Sequence, residues 1–111
     1  MAIKGTIGLE IEMDNDNLPE KIYWDASNSP FEDKQSAKAF LLSIWDGEAK
    51  NTMKMDLWTK DMTIEEMNHF FFQSLFTLAE TFQKATNDTE TATKLKEFAK
   101  AFAQKQQLIK E

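Results

Sequence analysis

Ile3, Ile7, Leu9, Ile11 and Met13 fall on one side of an extended segment, and Lys4, Thr6, Glu10 and Glu12 on the other. A period of two marks a half-buried strand, predicted over about residues 2–13. Asp14-Asn-Asp-Asn17 then supplies a turn, and Leu18-Pro19 leads into a second short strand, about 20–25, through Ile22, Tyr23 and Trp24. Residues 25–36 lack any period and carry turn formers, so a long loop is expected there, with Phe31 available to tack it to the body.

Alternation returns over about 37–46 and 51–60. Phe40, Leu42 and Ile44 alternate with Leu41, Ser43 and Trp45; Met53, Met55 and Leu57 alternate with Lys54, Asp56 and Trp58. If the two segments form a hairpin, their apolar sets must share a face, so even positions must oppose odd ones. That demands an even loop, either Glu48-Ala49 or Gly47 to Lys50, and sets Ile44 opposite Met53 and Leu42 opposite Met55. A slip of one residue would turn Met53, Met55 and Leu57 into water.

From Thr63 the period becomes helical. Thr63-Ile-Glu-Glu66 is a capping box that opens a helix predicted over about 63–86. Ile64, Met67, Phe71, Leu75, Leu78 and Phe82 form its stripe. Asn87-Asp88 ends it, and Asp88 caps a second helix over about 88–108, with a narrower stripe of Ala92, Leu95, Phe98, Ala99 and Phe102. Four antiparallel strands followed by two amphipathic helices predict an α+β fold, a two-layer sandwich with one four-stranded sheet covered by both helices. A chain of 111 residues is read as a single domain, 1–111.

Composition narrows the chemistry. No cysteine is present, which excludes disulfides, thiolate metal sites and cysteine nucleophiles. The formal charge is −6 and every basic residue is lysine, so the basic face and arginine forks of a nucleic-acid binder are missing. No apolar run reaches secretory or bilayer-spanning length, giving the expectation of a cytoplasmic protein that does not insert into membranes. Asp14, Asp16 and Glu20 invite comparison with a calcium loop, but Leu18 and Pro19 stand where a ligand and a glycine are needed, so the reading is a solvated turn. His69 lies opposite the stripe of its helix and reads as a surface histidine. With no phosphate loop or nucleophile elbow, neither catalytic residues, a metal site nor a cofactor is predicted.

The aromatic surplus carries more. Trp45 and Trp58 point away from the apolar face of their hairpin, in company with Tyr23 and Leu41, while Phe70, Phe72 and Phe76 flank the stripe of the first helix. These rings exceed what one sandwich interior needs, unless the second helix and the long loop cover them. Left uncovered, Tyr23, Trp45, Trp58, Phe70, Phe72 and Phe76 are a candidate surface for a protein partner. A free sheet edge and spare apolar surface also leave a homodimer open.

The run Ala37-Lys-Ala-Phe-Leu-Leu-Ser-Ile-Trp-Asp46, then Met53-Lys-Met-Asp-Leu-Trp-Thr-Lys-Asp-Met62, then Glu65-Glu-Met67 and Phe70-Phe71 through Ala85-Thr-Asn-Asp88, resembles the gliding motility protein GldC family of Bacteroidota. Asp56 to Met62 is the most specific piece. The resemblance implies a small, cytoplasmic, non-enzymatic accessory or adaptor of the gliding machinery, working through motility components as protein partners. At fold level the order of strands and helices is also similar to the export chaperone SecB, which implies the alternative of a holdase gripping unfolded clients through an apolar patch.

Overall fold

A computed structural model describes residues 3–109. They form five strands and two helices in two compact units that divide between Met62 and Thr63. The first unit holds β1 (Ile7–Met13), β2 (Pro19–Ala26), β3 (Gln35–Ala37), β4 (Ala39–Asp46) and β5 (Asn51–Trp58). The second holds α1 (Ile64–Thr86) and α2 (Thr89–Lys105). The α+β class and the two C-terminal helices are as expected. The single four-stranded sheet is not.

Instead there is a three-stranded sheet ordered β1-β2-β3 and a two-stranded sheet of β4 and β5, all antiparallel. The division comes from one extended run, 35–46, that changes partner at Lys38. Ala37 pairs with Ile22 of β2, whereas Ala39 pairs with Trp58 of β5. At the changeover the Thr59 amide donates to the Lys38 carbonyl at 2.7 Å, and the Lys60 amide donates to the Pro19 carbonyl at 3.0 Å. β3 also claims Gln35 and Ser36 from the expected loop. That loop is pinned where Phe31 meets Trp24 edge-on, with ring centroids 6.2 Å apart.

The first strand is shorter than the alternation suggested: pairing starts at Ile7, and Ile3 is fully exposed. Its expected first residue, Ala2, lies outside the described residues. Ile11 pairs with Ile22, which is the only large side chain among the described residues that is fully enclosed. The turn after β1 forms as read. The Asp14 carboxylate accepts from the Asp16 and Leu18 amides, and Asn17 takes the left-handed conformation.

In the helical unit the capping box closes in both directions: Thr63 Oγ1 accepts from the Glu66 amide, and Glu66 Oε1 accepts from the Thr63 amide, each at 3.0 Å. Asn87, left-handed, ends α1, and Asp88 caps α2 by accepting from the Thr91 amide at 3.0 Å. α2 stops at Lys105, short of the predicted end.

The seam between the helices keeps Ala92 and Ala99 of the stripe expected for α2 and corrects the expected stripes in part. Ala79 on α1 and Ala92, Ala99 and Ala103 on α2 are fully buried. Half-buried Phe72, Phe76 and Gln83 share the helical row of Ala79, and Lys96 shares that of the α2 alanines. The Lys96 ammonium crosses the seam to lie 5.4 Å from the Phe76 ring centroid. Small side chains let two backbones approach closely, and here Ala79, Ala92, Ala99 and Ala103 do so between the larger side chains of the same rows. Ile64, Phe71 and Leu78 of the expected α1 stripe, with Leu95 and Phe98 of α2, are exposed.

Candidate functional site

The β4–β5 ribbon has the register that its alternation demanded. Leu42 faces Met55, Ile44 faces Met53, and the pairing closes at Asp46 and Asn51 around the four-residue loop 47–50. Asp46 Oδ1 accepts from the Glu48 and Ala49 amides, and Lys50 supplies the left-handed residue that turns the chain back. This register puts Trp45 and Trp58 on one face, at opposite ends, with Leu41 on the same face. Six residues of strand separate Trp45 from Ala39, the partner of Trp58, so the two indoles are anchored about 20 Å apart.

Both indoles are open to solvent, Trp45 at 65% and Trp58 at 55% relative exposure. Between them, beside Leu41, the ribbon carries a polar group of Ser43, Lys54 and Asp56. The Lys54 ammonium donates to Ser43 Oγ at 3.1 Å and pairs with Asp56 at 3.5 Å. Trp58 also borders an apolar cleft of about 270 Å³ that it lines with Leu18, Pro19, Leu57 and Lys60. The reverse face is no better covered: Ile44, Met53 and Met55 are exposed too. Exposed apolar side chains on both faces of a two-stranded ribbon are an unusual surface.

The other candidates do not gather around the tryptophans. Tyr23 stands half-buried on the three-stranded sheet, between Glu10 and Ser36. It borders an acidic depression with Glu10, Asp25, Glu32, Asp33 and Lys34, in which Lys34 and Glu10 form an ion pair. Phe70, Phe72 and Phe76 belong to the helical unit and are half-buried. Phe70 meets Phe71 edge-on, and Phe72 meets Phe76 at 6.4 Å on the row that faces α2.

The Asp56–Met62 segment takes in the end of β5 and continues past the ribbon into a structural clasp. Thr59 is buried, donates from Oγ1 to Asp61 at 2.6 Å, and accepts at its carbonyl from the Met62 amide. The Lys60 ammonium reaches Asp14 at 2.9 Å. The alternation of β5 gave no hint of this clasp, because its contacts are made after the alternation ends. His69 is exposed, and no group of three or more metal-ligating side chains occurs among the described residues.

A family model for Gliding motility-associated protein GldC-like matches residues 19–108, from the first residue of β2 to beyond the end of α2. The chain belongs to the GldC-like family. The match takes in the whole β4–β5 ribbon, the Thr59–Lys60 clasp and both helices, and leaves β1 outside. No curated protein and no solved structure matches the chain. Membership associates this GldC-like protein with gliding motility, and no helix among its described residues is long and apolar enough to cross a membrane.

Proposed function

We propose that this GldC-like protein is a non-enzymatic, cytoplasmic accessory of the gliding machinery that works by protein contact through the Trp45–Trp58 face of its ribbon. The observation that carries this reading is the pair of exposed indoles held on one face by a fixed register. Tryptophan brings a large apolar area with few rotors to lose and is enriched among the residues that dominate binding energy. The polar Lys54–Ser43–Asp56 strip between the indoles supplies hydrogen-bonding groups that set orientation.

Two experiments test it. Deleting the gene in a gliding host should impair colony spreading; unchanged spreading across conditions counts against a motility role. Pull-down from that host should recover a partner with the native chain and lose it with Trp45→Ala and Trp58→Ala. If both variants retain every partner, this face is not the contact.

A second reading, a SecB-like holdase, is favoured by the reverse face of the ribbon. Exposed Met53 and Met55 beside Ile44 form the kind of adaptable surface that accommodates many sequences. Stoichiometric suppression of aggregation of an unfolded client would support it, and no suppression would remove it.

A further inference from the structure

The helical hairpin carries an uncovered apolar row with the repeat of a helix–helix seam. Ile64, Phe71 and Leu78 stand seven residues apart and are 82%, 40% and 62% exposed. A row that returns every seven residues lies along a straight strip of helix, here about 21 Å long, and suits a helical partner running beside it. The row is turned roughly 100° from the alanine seam about the α1 axis. On α2, Leu95 and Phe98, 41% and 62% exposed, are turned from their seam by a similar angle in the same rotational sense. Because the two helices run antiparallel, equal rotations in that sense bring both rows to the same side of the hairpin.

We infer that this face is covered by a second copy of the chain, giving a four-helix arrangement in which α1 of each copy lies over α2 of the other. Three observations select that occupant. The five exposed side chains offer roughly 600 Å² per chain, so a symmetric pair buries about 1,200 Å², the lower range of stable interfaces. The α1 side of the face carries no charge: every charged residue of α1 (Glu65, Glu66, Glu80 and Lys84) falls outside the arc that runs from Thr81 through Phe71 to Asn68. On α2 the charges nearest the face are Lys94, at its outer rim, and Lys105, seven residues after Phe98 at the end of the same row. Stacking α2 on α2 would set these lysines against their equivalents, whereas placing α1 over α2 sets them against the uncharged arc of α1. The inference does not depend on the Trp45–Trp58 reading.

Light scattering on the full chain tests it. The native chain is expected at twice 12.9 kDa, and Leu78→Glu and Phe98→Glu each at 12.9 kDa with the helical circular dichroism unchanged. Leu78→Ser is the milder variant, expected to raise the dimer dissociation constant about tenfold or more with helicity intact. A Trp45→Ala/Trp58→Ala double variant should keep the doubled mass. A native chain that stays at 12.9 kDa at about 100 μM overturns the inference and leaves the face to a different partner. A doubled mass that survives both glutamate variants, or a dissociation constant unmoved by Leu78→Ser, overturns it as well.

Discussion

Asp14 and Lys60 are joined at 2.9 Å between the Asp14 carboxylate and the Lys60 ammonium, linking the turn after β1 to the clasp after β5. Asp14 also accepts from the Leu18 and Asp16 amides. One carboxylate therefore holds both its own turn and a segment 46 residues away in sequence.

That double use gives the unit a pH dependence. The Leu18 amide first, then the Lys60 ammonium, hold the Asp14 carboxyl below its ordinary value of 3.8. A depressed carboxyl stabilises the folded chain above its unfolded pKa, and the contribution is lost as pH falls through the lower folded value. The same pair, with Asp14 as the first cause, raises Lys60 above 10.5, so its contribution is present below that value and fades as pH rises through the raised one. The urea midpoint of the native chain should therefore fall below about pH 4 more steeply than that of Asp14→Asn. Superimposable acid limbs would show that the turn does not depend on this carboxylate.

The Thr63 cap is the sharpest local test of the helical unit. Thr63→Ala removes the acceptor for the Glu66 amide and one half of the reciprocal box. The expected loss is about 1 kcal/mol, with Thr63→Ser retaining most of it. Equilibrium unfolding followed by helical circular dichroism checks both. Equal losses in the two variants would place the effect in the threonine methyl rather than in the hydroxyl.

Elements with a local cause could be read from the chain alone. The Ile44–Met53 and Leu42–Met55 register followed from parity, because only an even loop puts both apolar sets on one face. Thr63 and Glu66 marked the start of α1, and Asn87-Asp88 the break between helices, through side-chain oxygens acting on neighbouring amides. The exchange of partners at Lys38 left no such mark. Alternation runs unbroken from Phe40 to Trp45 whichever strand lies alongside, and β3 consists of three residues with little apolar character. The helix seam was hidden for a different reason. Bulk made Ile64, Phe71 and Leu78 look like the buried stripe, whereas close approach of two helices selects small residues; Ala92 and Ala99 stand on the stripe read for α2, but Ala79 and Ala103 show their role only where the helices meet. Of the candidate surface, the Trp45–Trp58 pairing was legible because it depends on register; the positions of Tyr23, Phe70, Phe72 and Phe76 depend on partners that the pattern does not specify.

If alanine sets the spacing of α1 and α2, enlarging it should cost more than its chemistry suggests. Ala99→Leu adds three carbons where the side chain is 0% exposed. Overpacking of this kind costs about 1–3 kcal/mol. Ala101→Leu, on the exposed face of α2 opposite the seam, should be near neutral, within about 0.5 kcal/mol. Urea unfolding of the pair separates seam from surface, and equal midpoints would mean that the helices do not meet along the alanines.

Ile22 and Trp45 stand in contrast within the strand unit. Ile22 is 1% exposed and faces both Ile11 of β1 and Ala37 of β3, so truncating it removes a contact that three strands share. Ile22→Ala should cost about 2–5 kcal/mol, the range for large-to-small change in a packed interior. Trp45 is far larger but faces water, and its truncation should move stability by only about 0.5 kcal/mol. The same should hold for Trp58→Ala, apart from the contacts it makes in the Leu18–Pro19 cleft. The contrast matters because a residue that stabilises its own fold and a residue that binds a partner are distinguished by which measurement they move. Ile22→Ala should lower the urea midpoint, whereas Trp45→Ala should leave it in place and remove the partner from a pull-down. A fall in midpoint for Trp45→Ala as large as that for Ile22→Ala would make the indole a packing residue and end the case for an open contact face.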